Sequence, residues 1–271
     1  MHEAHAFDQA LSLQPLAEPG RYTGSTHPAY WNMVGPFGGT TAATLLNAVL
    51  QHPERLGVPL SLTVNYAAAL ENGGFELQAR PVRTNRSTQH WLVELQQGGA
   101  IAATASVVTA LRRETWGATD LPAPPVPRPA DVAPVPAGPD RLAWLANYEM
   151  RPIKGALPER WDGRGQHSES LLWLREAPAR ALDFAALAAL SDVFLPRIYL
   201  RRAQVVPIGT VSLTTYFHTS AEQLARLGTS YLLGRAVGQQ FGQGFFDQAA
   251  QLWSEAGELL ATSSQIVYYR E

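Results

Sequence analysis

Between Asp120 and Asp140 the chain reads DLPAPPVPRPADVAPVPAGPD, a stretch in which proline dominates and no apolar periodicity survives. Proline lacks the backbone N–H and fixes φ, so such a run favours extended polyproline geometry and cannot build helix or an internal sheet ladder. The sequence therefore predicts an N-terminal unit over 1–118, a proline-rich linker over 119–140 and a C-terminal unit over 141–271. Each flank is a normal size for a small domain, and with 46% hydrophobic residues the chain has ample material for a buried core.

A chain that halves so evenly invites comparison of the halves. Pro59–Tyr66 (PLSLTVNY) and Thr210–Phe217 (TVSLTTYF) both alternate in strand fashion and share serine, leucine and threonine at an offset of 151. Farther on, the turns Gln97-Gly98-Gly99 and Glu255-Ala256-Gly257 each precede a small-residue strand, Ala103–Ser106 and Ala261–Ser264, at an offset of 158. Upstream in each half lies an alanine-rich segment apolar on nearly every side, Gly39–Leu50 before Pro53 and Phe184–Leu195 before Pro196. Such a segment describes a helix wrapped by a sheet rather than one lying on a surface. Each half is thus expected to be an α+β unit, an antiparallel sheet curled around a central helix.

Composition excludes several functions. With 21 basic and 23 acidic residues and no Lys/Arg run, no nucleic-acid partner is expected. The absence of cysteine rules out disulfides, a thiolate nucleophile and Cys-ligated metal. No apolar stretch reaches the ~20 residues of a membrane span, and the first residues lack the pattern of a signal peptide, so a cytoplasmic protein is expected. Histidines stand at 2, 5, 27, 52, 90, 167 and 218 without HExxH spacing, and there is no Gly-x-Ser-x-Gly elbow. Neither a zinc site nor a serine hydrolase is indicated.

Gly35-Pro36-Phe37-Gly38-Gly39 opening the first helix, Leu62–Tyr66 as the next strand, Leu190-Ser191-Asp192 with Phe194-Leu195-Pro196, Thr210 with Phe217-His218, and Ala261-Thr262-Ser263-Ser264-Gln265 in the last strand occur in a specific order and spacing. In that order the sequence resembles the TesB-like (type II) acyl-CoA thioesterases, which have a double hotdog fold. The resemblance covers most of the chain. It implies hydrolysis of an acyl-CoA thioester to free acid and CoA by water activated by an Asp, a Thr and a Gln, here Asp192, Thr210 and Gln265. It implies no cofactor beyond the coenzyme A of the substrate, and a homodimer or homotetramer.

The repeat tests those three positions independently. Asp192 aligns with Asn47, Thr210 with Pro59 and Gln265 with Val107, so only the second half carries the full polar set. Asp192 follows an apolar run, and burial would raise its pKa and make it a better base near neutrality; the competing reading is a carboxylate at the helix edge bonded to backbone. Gln265 shares a strand face with Leu259, Ala261, Ser263, Val267 and Tyr269, where the first half has Ile101, Ala103, Ala105 and Val107. A buried amide there must find partners or cost roughly 1–3 kcal/mol. Alternation groups Thr210 with Ser212 and Thr214 and puts Val211, Leu213 and Phe217 on the core face, unless a bulge after Gly209 redirects Thr210.

Further candidates concern substrate binding. Gly38 and Gly39 either bring the N-terminus of the first helix to a thioester or permit close packing. Arg86, in the turn Arg83–Thr88, and Gly244, in the turn Phe241–Phe245, either admit the pantetheine arm and phosphates or are solvated turns. His218 reads as a hydrogen-bonded strand-end histidine. Tyr30, Trp31, Trp91, Tyr148, Trp173 and Phe246 are candidates to wall an acyl tunnel, with core packing the alternative. The rival function is a noncatalytic hotdog that binds acyl-CoA or mediates assembly; a hydratase would want an Asp/His pair on one turn-and-helix segment, and none is evident.

Overall fold

The computed structural model describes residues 4–136 and 142–271. In chain order the first half contains α1 (Ala6–Ala10), β1 (Gln14–Pro15), β2 (Arg21–Ser25), α2 (Gly38–Leu50), β3 (Val58–Tyr66), β4 (Gly74–Thr84), β5 (Thr88–Gln97) and β6 (Ala100–Ala110). The second contains β7 (Tyr148–Lys154), β8 (Ser170–Glu176), α3 (Phe184–Leu190), α4 (Arg197–Arg202), β9 (Ile208–Phe217), α5 (Ala221–Leu227), β10 (Leu232–Val237), β11 (Phe241–Gly242), β12 (Phe245–Ser254) and β13 (Leu259–Tyr269).

All the strands join one antiparallel sheet in the order β1-β2-β4-β5-β6-β3-β9-β13-β12-β10-β8-β7, with β11 hung on β12. The order is palindromic about the β3–β9 pair: read outward from the centre, the two halves place corresponding strands in the same sequence. At that centre Thr63 faces Thr214, the residues related by the offset of 151, and their hydroxyls lie 3.0 Å apart. This is a double hotdog, α+β in class, with two hotdog sheets fused edge to edge.

Helices α2 and α3 lie side by side inside the curled sheet. Every residue of α3 is buried, as are ten of the thirteen in α2, which is why both segments are apolar all round. The second helix is shorter than its apolar pattern predicts. It ends at Leu190, where the Ser191 hydroxyl bonds back to the Leu187 carbonyl at 2.8 Å, and the chain turns through Asp192 before α4 begins after Pro196.

Bulges are duplicated with the fold. Pairing of β9 with β13 skips Val211, and pairing of β3 with β6 skips Leu60, the equivalent position. Val211 is therefore 41% exposed rather than on the core face, and the inner residues of β9 are Leu213, Thr215 and Phe217. A second pair of bulges, at Ala102 and Leu260, turns Ile101 outward and buries Leu260.

The proline-rich stretch is no free tether. It runs as a strap over the outer face of the second sheet, where Trp173, Leu233 and Trp253 form a small buried cluster with Ala123, Val126 and Val132 packed on it. The Trp173 indole donates to the Pro127 carbonyl at 2.9 Å and the Trp253 indole to that of Leu121 at 3.2 Å. Arg151 donates to the carbonyls of Pro129 and Val132. Backbone carbonyls that proline leaves without a ladder are thus met by side chains of the sheet.

Candidate active site

The turn after α3 brings Asp192 against the first turn of α2, so the site lies between the halves. Helix α2 begins after Phe37 with no side chain capping its free N–H groups. The Asp192 carboxylate takes that place, accepting from the Gly39 N–H. A helix N-terminus favours an anion at this point. On the other side the Gln265 amide donates Nε2–H to Asp192 Oδ1 at 2.8 Å.

Two glycines make the approach possible. A Cβ on Gly38 would stand 2.8 Å from Asp192 Oδ2, and one on Gly39 would stand 2.6 Å from the Ala189 carbonyl. Gly38 and Gly39 are therefore required by close packing, and that packing is what delivers the helix N-terminus to the carboxylate. The Tyr66 hydroxyl, at the end of β3, donates to the Gly38 carbonyl at 2.8 Å and pins the start of the helix.

Strand β13 holds the turn at two points. Ser263, two residues before Gln265 on the inner face, donates to the Ser191 carbonyl at 3.2 Å. Beyond the turn, fully buried Arg197 bonds the Ser168 carbonyl at 2.8 Å and the Ser170 hydroxyl at 2.7 Å, tying α4 to the sheet. Surrounded in this way, the Asp192 carboxyl has its pKa pushed up to about 7 by burial, against the opposing pull of the Gln265 and Gly39 hydrogen bonds. The residue keeps part of its surface accessible. A carboxylate with this pKa, beside an amide and at a helix N-terminus, can accept a proton from a water near neutral pH.

Thr210 stands opposite Val267, one inward position along from Gln265, because the bulge at Val211 turns it to that face. Among the described residues its hydroxyl makes no hydrogen bond to Asp192 or Gln265. Gly244 lies in the β11–β12 turn, its carbonyl accepting from the Tyr269 N–H at 2.8 Å; this is four residues along from Gln248, the cross-strand partner of Gln265. Arg86 is exposed at the tip of the β4–β5 hairpin. Beside that tip, Gln89 bonds the loop after α2 through Glu54 and Leu56, so Arg86 sits at the opposite end of a helix about 18 Å long from Asp192. The structure does not bring Arg86 to the Asp192 site.

The proposed tunnel aromatics disperse. Trp91 is buried against His52 and Thr109, Trp173 lies under the strap, and Phe246 belongs to a separate cluster with Ile198 and Tyr199. His218 bonds Thr262, away from Asp192. Tyr30 and Tyr148 do lie behind the site, in edge contact at 6.4 Å, and Tyr148 also meets Phe37 at 6.0 Å. Sequence reasoning missed Glu176, buried nearby, whose carboxylate has, among the described residues, only Arg180 at 3.7 Å as an ion-pair partner and whose pKa burial raises to about 7. It also missed Tyr66, although the signal was present: the second-half residue at the offset of 151 is Phe217, so the hydroxyl exists in one copy only. Among the described residues no group of three or more His, Asp or Glu could hold a metal ion. Among the described residues no helix is long and apolar enough to cross a membrane.

Fold and site together define a hotdog-fold protein with a buried carboxylate at the mutual boundary of two fused units. Comparison with known families narrows this. Residues 27–110 match the acyl-CoA thioesterase N-terminal domain and residues 123–269 the acyl-CoA thioesterase C-terminal domain. The chain belongs to the acyl-CoA thioesterase family. Among solved structures, a conserved hotdog-fold protein of unknown function from Alicyclobacillus acidocaldarius is similar at 46% identity and a TM-score of 0.93, covering 99% of each chain. An acyl-CoA thioesterase II, TesB2, from Mycobacterium marinum has 19% identity and a TM-score of 0.75, covering 98% of each chain. No match is found among the curated proteins.

Proposed function

We propose that the protein hydrolyses acyl-CoA thioesters to the free acid and CoA, with Asp192 as the base that activates water. The observation that carries this reading is the Asp192–Gln265 pair at the N-terminus of α2, embedded at a point where the other half of the duplicated fold has Asn47 and Val107. Water held between the carboxylate and the Gln265 amide attacks the thioester carbonyl and gives its proton to Asp192. The carbonyl oxygen becomes an oxyanion, which the positive end of α2 favours. Collapse breaks the C–S bond, and the proton on Asp192 is available to the departing CoA sulfur. Thr210, opposite Val267 on the neighbouring strand and on the face of Gln265, is the third group of this proposed site. A thioester is already activated and CoA is a good leaving group, so the side chains and water suffice and coenzyme A enters only as part of the substrate. The phosphates of CoA remain without an assigned cation, since Arg86 lies at the far end of α2.

The rival, a noncatalytic acyl-CoA-binding hotdog, would be favoured by an exposed Asp192 out of reach of Gln265; the 2.8 Å contact supports the enzymatic reading instead. The test is release of free CoA from acetyl-, hexanoyl-, palmitoyl- and aromatic acyl-CoA, followed with a thiol reagent. Because the protein has no cysteine, every thiol detected comes from substrate. Turnover of at least one class is expected, and binding of all four without release would establish the noncatalytic reading.

A further inference from the structure

The peptide that joins Gly38 to Gly39 is held at both of its ends. Its carbonyl accepts from the Tyr66 hydroxyl at 2.8 Å, and its N–H donates to the Asp192 carboxylate. The carbonyl and N–H of one peptide share a plane, so fixing the first orients the second. The two contacts also reinforce each other: a donor on the carbonyl oxygen draws charge across the amide and makes its N–H a stronger donor. Tyr66 and Asp192 flank the peptide at close range. A Cβ on Gly38 would stand 2.8 Å from Asp192 Oδ2 and 3.5 Å from the Tyr66 hydroxyl oxygen, and all three residues keep part of their surface accessible.

The other half of the duplicated fold builds its helix start differently. Helix α3 is capped by the residue just before it, the Asp183 side chain accepting from the Ala186 N–H at 2.7 Å. The counterpart of Tyr66 is Phe217, whose ring meets Phe184, the first residue of α3, edge-on at 5.7 Å. A phenyl ring is thus enough to pack against a helix start in this fold. The hydroxyl is present only in the copy whose helix is capped by a carboxylate arriving from the other half. Burial, and after it the Asp192 charge, holds the Tyr66 hydroxyl well above its ordinary pKa of 10.0, so it remains a donor near neutral pH.

We infer that Tyr66 is a positioning residue for Asp192, acting through the Gly38–Gly39 peptide to orient the carboxylate and to strengthen the hydrogen bond it accepts. The inference rests on the reading of Asp192 as the base, but its test is separable. The polar groups that act on the carboxyl are the Gln265 amide from β13, the Gly39 N–H from α2, and the Tyr66 and Tyr148 hydroxyls from β3 and β7. The bonds from Gln265 and Gly39 favour its ionised form. Asp192 is titrated directly by carbon-13 NMR of protein labelled at the aspartate carboxyl carbon, with its signal assigned by loss in Asp192→Asn. The pH profile of kcat/KM is recorded alongside.

Tyr66→Phe keeps the ring and leaves the Gly38 carbonyl its helical partner. Weakening the Gly39 N–H bond disfavours the carboxylate, so the Asp192 titration and the limb of the rate profile should both move up by about 0.3 pH unit or more. Trp173→Phe, in the cluster under the strap, controls for lost stability and should leave both in place. A smaller shift of the Asp192 titration in Tyr66→Phe, or an equal upward shift in Trp173→Phe, overturns the inference. If the titration moves as expected while no acyl-CoA is hydrolysed, the role of Tyr66 stands and the hydrolytic reading falls.

Discussion

Asp192 Oδ2 lies 2.8 Å from the position a Cβ would occupy on Gly38, so a carboxylate of the second half rests directly on the backbone of the first. Gly38→Ala therefore separates activity from stability. Alanine is the better helix residue by about 0.5–1 kcal/mol, which offsets part of the cost of shifting the Asp192 side chain, and the thermal midpoint should change little. The methyl group displaces the carboxylate, and kcat/KM should fall by about tenfold or more. Gly39→Ala differs, because its Cβ meets the Ala189 backbone carbonyl at 2.6 Å, which cannot swing away. That variant should lose stability as well, a contrast read by calorimetry and CoA release on the same preparations.

Glu176 gives a pH-dependent stability. Its folded pKa is raised by burial from 4.5 to about 7, so the folded state holds the proton more tightly than the unfolded chain. Stability is lost as pH rises from the unfolded value through the folded one, and above pH 7 the full penalty is present. Glu176→Gln removes that penalty and should stabilise the protein at pH 8 by on the order of 1–3 kcal/mol. At pH 4 it should change little. Arg180 keeps Asp8 and Asp183 as partners in the variant. Urea denaturation at the two pH values measures the difference.

The strap contributes to stability through identifiable bonds. Trp173→Phe and Trp253→Phe remove the indole donors to Pro127 and Leu121 and should each cost about 1 kcal/mol in chemical denaturation. Cleavage by a protease within 121–132 should accelerate in the double variant, because those indoles fasten this segment to the sheet.

Much of this architecture was readable from the residues, and the losses have definite causes. The duplicated strands at an offset of 151 were visible because alternation survives in both, and Thr63 and Thr214 prove to face each other across the centre. Helix α3 reads too long, since apolar periodicity continues past Leu190 while the Ser191 side chain, bonded back to Leu187, ends the helix. Val211 reads as core because alternation cannot reveal a skipped residue. Asp192 and Gln265 stand out as polar residues in apolar settings, whereas Arg86 was placed by its chemistry alone, and no local pattern reports which end of α2 a hairpin tip reaches. Tyr66 was lost for a different reason: a tyrosine at a strand end is ordinary until its counterpart Phe217 is set beside it. The strap was invisible as a packed element because a proline run carries no periodicity, and its partners Trp173 and Trp253 lie far along the chain.

The central claim is that Asp192, with a pKa near 7, supplies the base. The most direct test is the pH dependence of kcat/KM for a hydrolysed acyl-CoA, in wild type and in Asp192→Asn. The wild-type rate should rise with pH along a limb centred at about 7 and level off above it, because the base works only when deprotonated. The variant should fold, since asparagine can still accept from the Gly39 N–H, and should lose about 100-fold or more of the rate together with that limb. A variant within twofold of wild type, or one that keeps the same limb near 7, would contradict the account.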